Sequence, residues 1–257
     1  MLPTVIAPVL LLAAALAADP APAQAPAPAG ADLAALLARA DAAYAVRDEA
    51  GQLEAAQRAL DEAARLAPGD AAVLWRLARL EAWRSEDPAI PDARKSELGR
   101  RAWDLGEKAI AADPRAVEGW FYAVSGMGNY SLGILSALAQ GIEGKFKDRL
   151  SRAEQLDPAF LGGAIQVAWG RFWFKLPWPK YDAEKSLRSL RAALARNPAN
   201  VRARVYLGDL HLEEGRRAEA RAEYLAALAR PPGQYDAPEE RRWQAVAREA
   251  LQKLEKQ

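Results

Sequence analysis

The sequence predicts an all-α fold in which antiparallel helix pairs stack side by side into a superhelix. Two observations predict it: prolines recur where a helix has to end, and an alanine precedes each of them by five residues. The prolines are Pro68, Pro114, Pro158, Pro198 and Pro232, and the alanines are Ala63, Ala109, Ala153, Ala193 and Ala227. A proline ring excludes the preceding residue from helical geometry and so ends a helix. We expect the alanines to lie where two helices touch.

A large side chain stands eight residues before four of these prolines, where it can fill the space between helices. These side chains are Leu60, Leu150, Leu190 and Tyr224, and the exception is Gly106. The intervals between successive prolines are 46, 44, 40 and 34 residues. The longer intervals predict insertions at 85–95, 130–144 and 175–181, each between the two helices of its pair or extending one of them. Insertions in stacked repeats collect on one face, often the binding face.

Residues 200–232 carry the most complete repeat pattern. It consists of Arg204, Leu207, Gly208 and His211 in the first helix and Ala220, Tyr224 and Pro232 in the second. This segment resembles a tetratricopeptide repeat, whose helices carry W-x2-L-G-x2-Y and A-x3-F patterns and a closing proline. The resemblance implies a right-handed tetratricopeptide-repeat superhelix of about five irregular helix pairs, which binds partners through its concave groove.

The end of the chain predicts a C-terminal capping helix. Asp236 followed three residues later by Glu239 is a helix-start pattern, and Pro238 fits the first turn. One apolar stripe at helical spacing then follows, formed by Trp243, Val246, Ala250, Leu251 and Leu254. A helix with a single apolar face covers the last repeat of a solenoid and presents a polar face to water.

Charge and cysteine content exclude several classes of function. Lysine and arginine total 35 and acidic residues total 34, so the net charge is +1. No global field favours nucleic acid or an acidic membrane surface, and we expect no nucleic-acid partner. The chain contains no cysteine. This excludes disulfides, thiol catalysis and iron–sulfur clusters, and it removes the residue that nearly all structural zinc sites need.

The N-terminus predicts export. Residues 5–18 are apolar, too few to span a bilayer comfortably but typical of the core of a signal peptide, and an A-x-A cleavage pattern ends at Ala17. We predict a signal peptide at 1–17, a Pro/Ala-rich linker at 18–30 and a repeat domain at 31–257, in a protein exported to the periplasm. No lysine or arginine precedes the apolar run. The alternative is therefore an uncleaved leader that anchors the chain to a membrane by its N-terminus.

Residues 117–254 resemble a narrower group of repeat proteins. The segments that carry the resemblance are GWFYAV at 119–124, LDPAF at 156–160, WGRFWFKLPWP at 169–179, KSLRSLRAALARNPAN at 185–200 and YDAPEERRW at 235–243. They are similar to the regulator of microtubule dynamics proteins and to the T-components of tripartite ATP-independent periplasmic transporters. This resemblance implies an all-helical domain that binds partners. For the T-components it implies a periplasmic accessory role near a substrate-binding protein.

Catalytic chemistry has little support in the sequence. His211 is the only histidine, so a Ser/His/Asp triad would have to be built around it, and a site with several histidine ligands is impossible. Its motif position is normally an aromatic packing position. Gly126-Met127-Gly128 lacks the third glycine of a dinucleotide fingerprint. We therefore predict no enzymatic activity, no catalytic residue, no cofactor and no metal.

Aromatic side chains provide the candidate binding surface. Trp169, Phe172 and Trp173 share one helical face by their spacing, and Trp178 follows in a proline-braced loop. Aromatic rings beside an arginine and an amide can form an amphipathic groove for a peptide, an acidic apolar ligand or a partner helix. We predict that the residues lining or flanking this groove are Trp120, Phe121, Asn129, Arg171, Trp173 and Trp178.

The predicted function is a non-enzymatic exported scaffold that binds a protein or peptide partner, or assembles an envelope complex, through its concave groove and insertions. The alternative is a carrier or transporter-accessory protein that encloses an apolar small molecule. An enclosed tunnel would favour the carrier, whereas an open groove would favour protein binding.

Overall fold

The computed structural model describes residues 29–130, 141–229 and 231–256, and within these ranges it contains helices and turns but no strand. The helices are α1 (Ala29–Ala45), α2 (Gln52–Leu66), α3 (Ala71–Ser85), α4 (Asp92–Ala112), α5 (Val117–Tyr130), α6 (Ile142–Leu156), α7 (Phe160–Lys175), α8 (Ala183–Arg196), α9 (Val201–Glu213), α10 (Arg217–Leu228) and α11 (Ala237–Glu255). They form five antiparallel pairs, from α1–α2 to α9–α10, followed by the single helix α11. The predicted all-α fold of about five helix pairs and a C-terminal helix is confirmed.

The predicted prolines mark the ends of second helices. Helices α2, α4, α6 and α8 each end two residues before a proline of the predicted series. At three of these turns the residue before the proline accepts a hydrogen bond from the backbone N–H two residues ahead, at 2.9 to 3.0 Å. These residues are Asp113, Asp157 and Asn197. Each side chain thus satisfies a donor that the turn leaves free.

The predicted small and large positions meet inside the pairs. All five alanines are buried, as are the four large side chains eight residues before the prolines. In the last pair Tyr224 lies against Gly208, where an added methyl group would lie 2.7 Å from Cδ1 of the ring. Only glycine leaves room for that ring, which explains the motif. Burial of each leucine among the four large side chains contributes roughly 1.5–3 kcal/mol to the stability of the fold.

Gly106, the exception among the large positions, belongs to a glycine seam between α4 and α5. The seam consists of Gly99 and Gly106 on α4 and Gly119 and Gly126 on α5, each pair seven residues apart. Because seven residues make two helical turns, both glycines of a pair lie on one face. A Cβ at Gly106 would lie 2.6 Å from the Cα of Ala123. The two backbones therefore touch, and no large side chain fits at Gly106.

Helix α11 starts and packs as predicted. The carboxylate of Asp236 caps it by accepting the backbone N–H of Glu239 at 3.2 Å. Its apolar face, formed by Trp243, Val246, Ala250 and Leu251, joins the core of the last pair, and Ala247 is buried with them. The amide of Gln244 also donates to the carbonyl of Ala227 at 3.1 Å.

Two predicted insertions lie in turns inside pairs, at 86–91 between α3 and α4 and at 176–182 between α7 and α8. Successive helices run up and down, so all turns inside pairs lie at one edge of the stack. We call this the turn edge; its described turns are 46–51, 86–91, 176–182 and 214–216. Most of the predicted insertion at 130–144 lies outside the described residues, as do the leader at 1–17 and nearly all of the linker at 18–30. None of the described helices combines the length and apolar character that a bilayer crossing requires.

Candidate functional site

The inner face of the stack is formed by the first helices of the pairs, which touch one another from pair to pair. Aromatic rings fill these contacts. Trp75 on α3 stacks on Tyr122 on α5 with ring centroids 6.0 Å apart, and Tyr206 on α9 meets Trp243 on α11 edge to face at 4.9 Å. Burial raises the pKa of Tyr44 on α1 to about 12. The inner face therefore carries a series of buried and half-buried aromatic rings that contact one another between helices.

Arginines cross the same face and pair with carboxylates of the neighbouring helix. Arg76 and Arg79 on α3 both bind Asp41 on α1, at 2.7 and 2.6 Å. Burial opposes the charge on Asp41, but these hydrogen bonds hold its pKa below the ordinary value. The guanidinium of Arg79 also lies 3.9 Å from the ring centre of Tyr44. The carboxylate thus stays ionised and fixes two arginines against aromatic rings.

The two ends of the described helix stack meet across the inner face. Arg47, just after the end of the first helix, donates to both carboxylate oxygens of Asp236, at 2.9 and 2.8 Å, although 189 residues separate them. The Arg47 side chain is only 3% exposed. Its guanidinium lies 4.0 Å from the ring centre of Trp83. Both hydrogen bonds come from one guanidinium nitrogen, and this partly buried contact is less screened by salt than a fully exposed pair.

Two further arginines complete this contact. Arg202 on α9 donates to both oxygens of Glu86 at 2.9 and 2.7 Å and to Glu239 at 2.5 Å. Arg242 on α11 donates to the carbonyl of Trp83 at 2.9 Å, with its guanidinium over the indole of that residue. We call this set the closure; it consists of Arg47, Trp83, Glu86, Arg202, Asp236, Glu239 and Arg242.

The closure ties the first two pairs to the last pair and its cap. Burial raises the pKa of Glu239, although Arg202 acts in the opposite direction. Trp83 lies between two guanidinium groups, one from each end of the chain. Arginine suits such a place because its planar group can stack on rings and bind carboxylates bidentately at once. The inner faces of the two ends therefore bind each other.

Three of the predicted site residues take part in packing between helices. The indole N–H of Trp120 donates to the carbonyl of Pro114 at 3.0 Å, and the ring packs against the core beside α6. Phe121 lies 5.2 Å from Phe160, centroid to centroid. Asn129 donates to the hydroxyl of Ser85 at 2.6 Å and so joins the end of α5 to the end of α3.

Arg171 and Trp173 lie on different sides of α7. Arg171 binds Asp209 on α9 at 3.1 Å and lies 4.4 Å from the ring centre of Tyr206, so it belongs to the inner face. Trp173 stacks on Trp169, which lies on the same helical face as predicted, and it has the ammonium group of Lys185 4.5 Å from its ring centre. The structure does not bring the two residues together in one groove.

Trp178 is the predicted site residue that faces solvent. Its side chain is 89% exposed, at the tip of the 176–182 turn. The turn is closed by backbone hydrogen bonds from Lys180 and Tyr181 to the carbonyl of Pro177, at 2.8 and 3.1 Å. Lys180 binds Glu143 on α6, and the Tyr181 hydroxyl donates to Glu214 at 2.6 Å. The indole thus extends into solvent from a turn that is bound to both neighbouring helix pairs.

His211 is a packed residue. It is 9% exposed, and its Nδ1 accepts a hydrogen bond from Nε of Arg216 at 3.0 Å. Burial, followed by the charge of Arg216, lowers its pKa below the ordinary value. Across the described ranges, no group of three or more His, Asp or Glu residues is placed to hold a metal ion.

The closure was not predicted from the sequence. Asp236 and Glu239 belong to a helix-start pattern, but that pattern does not indicate their arginine partners. The contacts that join the two ends of the stack are separated by 116 to 189 positions. The sequence gives one indirect indication, since Arg241 and Arg242 stand beside the helix-start pattern. Paired arginines are equally typical of a helix face that lies in water.

The comparisons with known proteins agree with this geometry. Residues 180–248, which span α8 to most of α11, match the family model described as tetratricopeptide repeat. A thermophilic TPR protein of Thermus thermophilus is similar in structure, with 22% identity and a TM-score of 0.64 over 85% of this chain and 98% of that chain. PilF of Pseudomonas aeruginosa is similar with 18% identity and a TM-score of 0.54, over 88% of this chain and 93% of that chain. Among curated proteins, none matches the chain.

The chain therefore has the tetratricopeptide-repeat fold. At these identities the solved structures show the fold alone. They do not bear on the resemblance of residues 117–254 to the regulator of microtubule dynamics proteins and transporter T-components, which stays a prediction.

Proposed function

We propose that this chain is a non-enzymatic scaffold that binds a protein partner at its turn edge, with the indole of Trp178 as the anchor. The observation that carries the proposal is the 89% exposure of this indole on a turn fixed at both ends. Tryptophan is strongly enriched among the few residues that dominate protein interfaces. Because the turn is already ordered, little conformational entropy is lost when the ring enters a partner.

The closure supports the turn edge as the binding surface. Arg47, Arg202 and Arg242 engage the carboxylates and the indole that a ligand in the concave groove would otherwise contact. A ligand that entered the groove between the chain ends would first have to break these buried pairs, which is costly. Binding at the 176–182 turn leaves the closure intact, because no closure residue lies in this turn.

Export to the periplasm is part of the proposal, and the N-terminal sequence supports it. The first residue of the protein recovered from cells tests this point. A chain that begins after Ala17 in the periplasmic fraction supports export and cleavage. A full-length chain in the membrane fraction supports the anchored alternative, and a full-length chain in the cytoplasm contradicts export.

Partner capture tests the anchor directly. The tagged full chain is cross-linked in the cells that produce it, and Trp178→Ala is compared with the wild type and with Leu225→Ala. Leu225 is a second exposed apolar side chain, on α10, and serves as the matched control. We expect Trp178→Ala to lower the yield of the main partner at least about tenfold, as a hot-spot loss does, while its melting temperature stays unchanged. Unchanged capture by Trp178→Ala would contradict the proposal.

A further inference from the structure

A second surface on the turn edge combines arginines with apolar side chains. It is a pocket of about 270 Å³ beside the 86–91 turn, open to solvent on one side. Its apolar lining residues are Leu53, Trp83, Ile90 and Leu98. Four arginines and two carboxylates, those of Glu81 and Asp87, make up the remaining lining. The lining therefore combines apolar side chains with more arginines than carboxylates.

Helix α4 gives the pocket a regular pattern of charge. Arg94, Leu98 and Arg101 are four and three residues apart, so they form one stripe along the helix. The leucine is buried, whereas the arginine side chains are 48% and 55% exposed. With a rise of 1.5 Å per residue, the two arginines begin about 10 Å apart along the axis. Along the stripe, a buried apolar side chain thus lies between two exposed cationic side chains.

The two arginines keep hydrogen-bonding capacity for a ligand. Arg94 binds Glu97 at 2.6 Å through one nitrogen, and Arg101 lies 3.3 Å from one oxygen of Glu81. A guanidinium has five N–H donors, so these contacts use a minority of them. Glu81 is 4% exposed at its side chain and is held by Arg84 as well as by Arg101. Both arginines contact the same oxygen of Glu81, and its other oxygen is buried with no hydrogen-bond partner among the described residues.

We propose that this pocket binds an acidic, extended segment of a partner protein in which two carboxylates flank an apolar side chain. Residues i, i+2 and i+4 of an extended chain point to one face and span about 13 Å, which flexible arginine side chains can match. The volume is at or below the lower end of the roughly 300–1,000 Å³ of ligand cavities, and the pocket is open. It therefore suits one apolar side chain of a peptide better than an enclosed small molecule.

This inference goes beyond the Trp178 anchor, and its test needs no natural partner. The probe is a fluorescein-labelled peptide, Gly-Glu-Ala-Leu-Ala-Glu-Gly, whose binding to the full chain is followed by fluorescence anisotropy. Two control peptides replace both Glu by Gln, or Leu by Ser. We expect the first peptide to bind with a dissociation constant in the micromolar to millimolar range, and each control to bind at least about fivefold more weakly.

Two protein variants locate the binding. Arg94→Gln combined with Arg101→Gln removes both ends of the stripe, and we expect it to weaken binding at least about fivefold. Arg100→Gln combined with Arg115→Gln removes the same charge from exposed arginines that do not line the pocket, and we expect a change of less than about twofold. Circular dichroism confirms that both variants keep their helices.

Three results would overturn the inference. The acidic peptide could fail to bind at millimolar concentration. The two double variants could lose affinity equally, which would mean that total charge alone matters. A single-stranded oligonucleotide of equal charge could displace the peptide as well as the unlabelled peptide does, which would mean affinity for any polyanion.

Discussion

At the scale of single residues, protonation of His211 is disfavoured because its Nδ1 accepts a hydrogen bond from Arg216. Protonation would place a hydrogen on that nitrogen and a second positive charge beside the guanidinium. The pKa of His211 is accordingly lowered, by burial first and by Arg216 second. An unfolded chain has no such constraint, so it binds the proton at higher pH than the folded chain.

This linkage predicts a loss of stability in mild acid. Below the ordinary histidine pKa of 6.5, the unfolded chain is protonated first, so the free energy of unfolding falls as pH falls toward the lower folded pKa. One proton limits the slope to about 1.4 kcal/mol per pH unit. Urea unfolding at pH 7 and pH 5 measures it. His211→Gln, which keeps an acceptor, should lose less stability between these values than the wild type; an equal loss would contradict the assignment.

The predicted site residues show what local sequence can and cannot predict. Pro177 and Pro179 bracket Trp178, and this bracket was enough to predict a braced loop with an indole on it. Asn129 was placed beside a groove, but its amide binds Ser85, 44 residues away. No local pattern contains that partner. Consecutive aromatic residues such as Trp120 and Phe121 likewise have to point in different directions, and only the packed helices decide where each ring goes.

At the scale of the elements, helix ends and pair contacts could be predicted because they depend on neighbours in the chain. A proline ends a helix wherever it stands, and alanine or glycine permits close packing at a fixed distance from it. The glycine seam could not be predicted in full. Gly106 was an exception to the pattern, and its reason lies on the next helix, where the backbone of Ala123 occupies the space.

The seam predicts opposite effects at two neighbouring glycines of α5. A Cβ at Gly126 would lie 2.8 Å from the Cα of Trp103, so Gly126→Ala forces α4 and α5 apart. We expect a loss of about 2–3 kcal/mol in the free energy of unfolding. Gly128 is exposed and has no atom within 4 Å of an added Cβ. We expect Gly128→Ala to gain about 0.5–1 kcal/mol from helix propensity. Urea unfolding measures both, and equal effects would rule out the seam.

At the scale of the whole molecule, the repeat pattern predicted a stack of pairs but not where the two ends of the stack lie relative to each other in space. Small rotations accumulate from pair to pair and set the curvature of a solenoid. Whether the last pair reaches the first depends on all of them together. The closure is the result. In the sequence its arginines resemble ordinary surface charge, and Asp236 and Glu239 indicate only the start of a helix. The closure therefore occupies part of the concave groove that the sequence predicted to be open for a partner.

The distance between the chain ends tests the central claim most directly, namely that the two ends of the superhelix hold each other. The chain has no cysteine, so exposed Glu54 and Arg248 can be replaced by cysteine, spin-labelled and measured by double electron–electron resonance. We predict one narrow distance distribution. The double variant Arg47→Gln with Arg202→Gln should broaden it toward longer distances. The control, Arg39→Gln with Arg115→Gln, changes two exposed arginines outside the closure and should leave the distribution unchanged. A broad distance distribution in the protein with an unaltered closure would contradict the claim. A narrow distribution that the first double variant does not change would contradict it as well.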